Sequence, residues 1–321
     1  MKQTKSLHEI ENIAKNLVFI DGIARSGKSI FSNIIPSFED VEHIQFMTQL
    51  EHIIPSVNLG GIDIEYAKMI LRLSLNELSY NIKLSRNVNF RAKDQTGIAN
   101  YKNPDVYWDR LNNEEGDYIV QYIQNHDTSI PFVTHDLMVN LNVVERLDLD
   151  YKIIELYRNP IDNIYSWYTK GWGERFGKDP RAWAIVTSYN KEPFPWYCSG
   201  YEEKMIGLNS CEVCVIIGVD IIKRSIKQYK NSKLPGNILT ILYEDMLQDP
   251  YYQLEKIESF LGKKKTKHTK RFVTSARCPR VLDAKDRERK LQIFKDNVNT
   301  ELFESLVELS ELYERNAYGI L

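Results

Sequence analysis

The segment Asp21-Gly-Ile-Ala-Arg-Ser-Gly-Lys-Ser29 lies between two apolar runs, Leu17-Val-Phe-Ile20 and Ile30-Phe-Ser-Asn-Ile-Ile35. Gly22, Gly27, Lys28 and Ser29 have the spacing G-x-x-x-x-G-K-[ST]. Glycines at those positions let backbone N–H groups close on phosphate oxygens, and the helix that opens near Lys28 adds a partial positive charge. Leu17 to Ile20 reads as a strand and Lys28 to Ile35 as the helix, stopped by Pro36. A strand feeding such a loop belongs in a mainly parallel α/β sheet, where ligands sit beyond the carboxyl ends of the strands.

The remaining pattern fits that frame. Pro131 to His135, Tyr151 to Tyr157 (YKIIELY) and Asn237 to Tyr243 (NILTILY) read as buried strands. Ile62 to Ser85, Gly116 to Asn125, Ile161 to Tyr168, Tyr251 to Leu261 and Thr300 to Asn316 carry helical spacing. Strands alternating with helices predict one doubly wound domain over residues 1–321, a central, mainly parallel sheet flanked by helices. Substrate-site excursions are expected near 87–113 and 170–205. Neither an internal repeat nor a low-complexity linker interrupts the chain.

Composition narrows the function classes. With 43% hydrophobic and 27% charged residues and a formal charge of −2, the chain reads as an ordinary enzyme rather than a polyanion binder or a disordered segment. The N-terminal MKQTKSLHEIENIAKN lacks a signal-peptide core, and no apolar run approaches the roughly 20 residues of a membrane span. A cytoplasmic location with no membrane partner is therefore expected. Four cysteines are too few for a disulfide scaffold, and Cys211-x-x-Cys214 lies in CEVCVIIGVDIIKRS, which reads as an amphipathic helix rather than a zinc or redox motif. The basic run Gly262 to Arg271 reads as a solvated loop, so no nucleic-acid partner is expected.

Residues just after each strand carry the candidate chemistry: the loop, His135, Arg158 and Glu244-Asp245. One alternative for the loop is an ATP-dependent small-molecule kinase, which needs a Mg²⁺-binding carboxylate at a neighbouring strand end. Asp136 is the available candidate.

A second pattern accounts for more of the chain. Arg25-Ser26-Gly27-Lys28-Ser29 resembles the loop of sulfotransferases that use 3′-phosphoadenosine 5′-phosphosulfate (PAPS), with Lys28 in place of the family's first threonine. Tyr157-Arg158-Asn159-Pro160, with Ser166 eight residues beyond the arginine, resembles the family's Arg/Ser pair. Leu242-Tyr-Glu-Asp-Met-Leu-Gln-Asp-Pro250, followed by Phe260-Leu-Gly262, is similar to its Tyr-Glu-Asp stretch.

The resemblance implies the P-loop-like sulfotransferase fold and sulfuryl transfer from PAPS to a hydroxyl, with no metal. It implies that Gly22, Arg25, Ser26, Gly27, Lys28 and Ser29 hold the 5′-phosphosulfate, with Lys28 and Arg25 also stabilising the reaction. Arg158 and Ser166 would hold the 3′-phosphate. Among Arg277, Arg280 and Lys285, Arg277 is chosen as a further phosphate contact. Thr134-His135 resembles the family's Thr-His, which makes His135 the base, with Asp136 or an unidentified glutamate as rivals. Glu244 and Asp245 read as cap and hydrogen-bonding residues.

The acceptor is expected to be a small hydroxylated molecule or carbohydrate. Trp167, Trp172, Trp183 and Trp196 fall in one stretch with Tyr168, Phe176, Tyr189, Phe194, Tyr197 and Tyr201. These rings, together with residues 87–113, are assigned to the acceptor pocket, with one ring a candidate adenine platform.

Overall fold

In the computed structural model, which describes residues 7–316, 318 and 319, four short apolar runs pair in parallel. They are β1 (Leu17–Asp21), β2 (Ile130–Val133), β3 (Tyr151–Tyr157) and a last strand, Ile238–Leu242, in the order β2, β1, β3, last strand. Every residue of β1 is buried, as a parallel strand covered on both faces requires. Leu17 and Phe19 enter one core and Val18 and Ile20 the opposite one.

Between β1 and β2 lie α1 (Phe31–Ile34), α2 (Thr48–Asn58), α3 (Ile64–Ile82), α4 (Asp105–Asp109) and α5 (Asp117–Asn125). Helix α6 (Leu141–Val144) leads into β3. After β3 come α7 (Pro160–Tyr168), α8 (Trp172–Arg175), a hairpin of β4 (Val186–Tyr189) and β5 (Glu192–Pro195), and α9 (Ser210–Lys230). The last strand of the parallel sheet is thus β6. It is followed by α10 (Tyr243–Gln248), α11 (Pro250–Leu261), α12 (Thr269–Ser275), α13 (Ala284–Asn297) and α14 (Thr300–Glu314).

The parallel sheet and its flanking helices match the fold read from the sequence. Strand and helix ends differ by a few residues, and one helix differs in kind. The expected Lys28 to Ile35 helix divides into a 3-10 turn (Lys28–Ile30), α1, and a second 3-10 turn (Ile35–Ser37) that contains Pro36. Its first turn closes by Ile30 N donating to Gly27 O, and Pro36, without an N–H, cannot extend an α-helical ladder.

Helix α2 was not foreseen because Pro55 lies inside it. Its capless start, at Met47, gives no signal either. The β4–β5 hairpin turns through Asn190 (φ 50°) and Lys191 (φ 69°), the left-handed pair of a tight two-residue turn. Cys211 and Cys214 are buried on α9 with unpaired thiols, which burial pushes up to about 11 and about 12. Among the described residues no helix is long and apolar enough to cross a membrane. The first six residues of the N-terminal stretch and the extreme C-terminus, and so the outer ends of the 1–321 domain, lie outside the described residues.

Candidate functional site

Two glycines shape the loop. Gly22 has φ 138°, and a Cβ there would stand 2.5 Å from the Leu156 carbonyl oxygen. Gly27 has φ 105°, and its Cβ would strike the Tyr243 ring at 2.3 Å. A side chain fits neither place, so the backbone approaches β3 and Tyr243 as closely as it does only with glycine. The Ser26 hydroxyl is fully buried with no hydrogen-bond partner. A buried orphan of this kind in a phosphate-shaped loop fits an anion supplied from outside.

Lys28 is buried, and its ammonium donates to the carbonyls of Gly22 and Ile23, the latter at 3.1 Å. An ammonium has three donors. Two are used here and one remains. Burial lowers its pKa, opposed by Asp21, Asp136, Glu155 and Glu51. Behind the loop, Asp21 on β1 accepts from the Thr134 hydroxyl at 2.9 Å and from the Met138 amide at 3.1 Å. Glu155, its register partner on β3, is pushed well above the usual carboxylate range, first by burial and then by Asp21.

Helix α7 grips the loop from one side. Asn163 and Trp167 both donate to the Ala24 carbonyl, at 2.9 and 2.7 Å. Arg25 Nε donates to the Ser166 hydroxyl at 3.1 Å, and Arg158 Nη1 donates to the Arg25 carbonyl at 3.2 Å. The Arg158 guanidinium also lies 4.8 Å from the centre of the Tyr243 ring, while its Nε is buried without a partner. Three sequence-expected residues from separate segments, Arg25, Arg158 and Ser166, thus meet.

Tyr243 continues this wall. Its hydroxyl accepts from Arg280 Nη2 at 2.6 Å. A cleft of about 340 Å³ opens here, lined on the loop side by Gly27, Ser29 and Ile30 and on the other by Phe272, Ala276 and Arg280. Arg277 is exposed and does not line the cleft, and neither does Lys285. Glu244 accepts from the Asn159 amide at 3.2 Å and from the Tyr313 hydroxyl, and stands 3.6 Å from Arg287. It ties α7, α10, α13 and α14 together, in keeping with its reading as a hydrogen-bonding residue.

Past Ala24 a second cleft, also about 340 Å³, holds His135, Asp136 and Glu51. The Thr134 bond to Asp21 and a left-handed turn at Asp136 (φ 61°) set His135 at its edge. His135 Nδ1 lies 2.8 Å from Glu51 Oε1 on α2. A carboxylate only accepts, so Nδ1 carries the proton and Nε2 is the free basic nitrogen. Burial raises Asp136 to about 6 despite His135 and Lys28 nearby. Its Oδ1 has no partner. Glu51 lies 84 residues from His135, on a helix the sequence did not announce. No local motif could have found it.

The tryptophan-rich stretch divides. Trp167 is core, stacked on Trp172 with centroids 5.7 Å apart, whereas Trp172, Phe176, Trp183, Trp196 and Tyr197 line the His135 cleft. None of these rings lines the cleft beyond Gly27, where Phe272 and Tyr243 are the aromatic side chains. Residues from 86–107 line a smaller cavity of about 110 Å³ that shares only Phe46 with the His135 cleft. Among the described residues no group of three or more His, Cys, Asp or Glu side chains is arranged to hold a metal.

A family model described as "Sulfotransferase domain" matches residues 15–279. No curated protein sequence matches significantly. Among solved structures, the sulfotransferase domain of the Synechococcus PCC 7002 olefin synthase is 14% identical, covering 97% of this chain and 98% of that one at a TM-score of 0.47. The sulfotransferase from Alicyclobacillus acidocaldarius is 15% identical, covering 92% and 96% at a TM-score of 0.37. Sulfotransferase STF9 from Mycobacterium avium is 13% identical, covering 89% and 77% at a TM-score of 0.40.

Proposed function

The chain belongs to the sulfotransferase domain family, and from that membership we propose that it moves a sulfuryl group from PAPS to the hydroxyl of a small-molecule acceptor in the cytoplasm. The observation that carries this reading is the loop's position between two clefts of different character. One side has the cations Arg158 and Arg280 around Tyr243, and the other has the His135–Glu51 pair in an aromatic wall.

Bound across the loop, the nucleotide would supply an activated sulfuryl group. The chain's own residues do the rest. Loop amides between Gly22 and Ser29, the orphaned Ser26 hydroxyl and the third Lys28 donor bind the 5′-side oxygens and neutralise charge as it builds there. Arg25, Arg158 and Ser166, already in contact, hold the 3′-phosphate through guanidinium forks and a hydroxyl. Arg280 takes the further phosphate contact that the sequence reading gave to Arg277, because Arg280 lines the cleft. The apolar sides of Ile30, Phe272 and Ala276 suit the flat base.

In the other cleft, His135 Nε2 accepts the acceptor's hydroxyl proton, and Glu51 keeps the proton on Nδ1 and stabilises the imidazolium that results. Asp136 acts through the charge it places near Lys28 and His135.

The test is a binding series by calorimetry with 3′-phosphoadenosine 5′-phosphate, AMP and Mg-ATP, followed by turnover with ³⁵S-labelled donor. The doubly phosphorylated nucleotide should bind at least tenfold more tightly than AMP, and Arg158→Ala should remove that preference. Equal affinity for AMP would overturn the assignment, and tighter binding of Mg-ATP would turn it toward a kinase.

A further inference from the structure

The His135 cleft has charge at both ends and little between. At its less exposed end stand Glu51, 19% exposed at its side chain, and Asp136. At its exposed end stand Arg175 and Arg181, 45% and 78% exposed at their side chains. Between them the wall is Phe46, Trp172, Phe176, Trp183 and Trp196.

The two arginines are salt-bridged within their own segment. Both are tied to one carboxylate, Asp179: Arg175 Nε donates to Oδ2 at 2.7 Å, and Arg181 donates through Nε and Nη2 at 3.0 Å each. Asp179 is only 7% exposed at its side chain, and the two guanidinium groups hold its carboxyl well below the usual range. Two cations sharing one anion leave one net positive charge at this end. The neighbouring Glu174 and Lys178, both exposed, cancel each other. Each guanidinium keeps unused N–H donors, since five are available per group. The segment is itself fixed, because His52, next to Glu51 on α2, donates from Nε2 to the Trp183 carbonyl at 2.6 Å.

Resting on the proposed sulfuryl transfer, we propose that the acceptor is an amphipathic acid: a hydroxyl at one end, an apolar or aromatic body, and a carboxylate or similar anion at the other. The hydroxyl reaches His135, the body lies along the tryptophans, and the anion meets Arg175 and Arg181. Charge alone sets this direction. An anion at the less exposed end faces Glu51 and Asp136, whereas at the exposed end it meets a fork it can bind in two-point fashion. A cleft of about 340 Å³ holds one small molecule of this kind.

The experiment compares two acid and ester pairs as acceptors: 3-(4-hydroxyphenyl)propanoate and 6-hydroxyhexanoate, each against its methyl ester. The readout is ³⁵S-labelled product. At least one acid should exceed its ester in kcat/KM by roughly tenfold, about 1.4 kcal/mol. The variant Arg175→Ala/Arg181→Ala should bring that ratio near one, while Arg175→Lys/Arg181→Lys, which keeps the charge and loses the fork, should leave it in between. Esters used as well as the acids, or an acid preference that survives the double alanine variant, would overturn the proposal. Binding of the same four compounds to the protein loaded with 3′-phosphoadenosine 5′-phosphate is measured in parallel. Acid-selective binding lost in the alanine variant, with no labelled product from any compound, sinks the sulfuryl-transfer reading and leaves the anion site standing. Turnover of esters alone does the reverse.

Discussion

The two clefts on either side of Gly22–Ser29 have the same volume and different origins. The one beyond Gly27 is made of the turns that follow two strands, the loop after β1 and Tyr243 after β6, closed by α12 and Arg280, with Arg158 after β3 lying against the Tyr243 ring. The one beyond Ala24 adds to three strand-end residues, Ala24, His135 and Asp136, a larger set of pieces that no strand of the parallel sheet supplies, namely Phe46, Glu51 on α2 and the segment from α8 to the turn after β5. A binding group at a strand end is placed by the sheet itself. A group on a connecting segment is placed only when that segment packs. The first kind suits a ligand shared across a family, and the second suits an acceptor particular to one chain.

The comparison can be broken at its strongest point by His135→Ala. Loss of the base should lower kcat by about 10²–10⁴ while leaving nucleotide affinity in the other cleft within twofold. Single-turnover rates together with calorimetry check this, and a comparable loss of nucleotide affinity would merge the two clefts into one unit.

Asp136 sharpens the boundary through pH. Its folded-state pKa of about 6 lies above the ordinary 3.8, so the folded protein holds the proton more tightly than the unfolded chain. That contribution to stability is present at low pH and declines as pH rises through about 4 to 6. Asp136→Asn should remove this decline, gaining up to about 3 kcal/mol over wild type near pH 8 relative to pH 4. Urea unfolding at both pH values reads the difference, and parallel pH curves for the two proteins would refute it.

On the other side, Arg158→Ala should weaken 3′-phosphoadenosine 5′-phosphate binding by about 2 kcal/mol and leave AMP nearly unaffected. An equal loss for both ligands would mean that Arg158 supports the loop through the Arg25 carbonyl rather than reading the extra phosphate.

The smallest expected effect is Glu51→Gln, about tenfold in kcat at neutral pH. Glutamine still accepts through its amide oxygen but carries no charge to stabilise the imidazolium. Steady-state kcat with labelled donor reads the loss, and a kcat equal to that of wild type would make Glu51 a packing residue only.

The legible part of the site was the part with local chemistry. Gly22, Gly27 and Lys28 announce themselves by spacing, and Arg158 and Ser166 by an eight-residue interval that a proline-started helix converts into proximity to the loop. Asn163 and Trp167 were within reach of the same logic, since they sit on α7 one turn apart and both bind Ala24. Arg277 and Arg280 were not separable from sequence. A left-handed residue at Arg277 (φ 56°) redirects the chain between them, and only one of the two lines the cleft. The charged helix α13 and the hairpin gave little pattern to read, as neither buries a continuous apolar stripe.

The amino-acid sequence by itself determined the parallel sheet, because short apolar runs alternate with helical segments that can cover both its faces, and it determined the loop's two tight places, because a Cβ at Gly22 or Gly27 would strike its neighbours. The folded structure alone decided which carboxylate His135 pairs with, which C-terminal arginine lines the cleft beyond Gly27 and which segments line the cleft beyond Ala24. Those contacts join residues tens to more than a hundred positions apart. Their geometry is set by how connecting segments pack, and packing leaves no periodic trace in the chain.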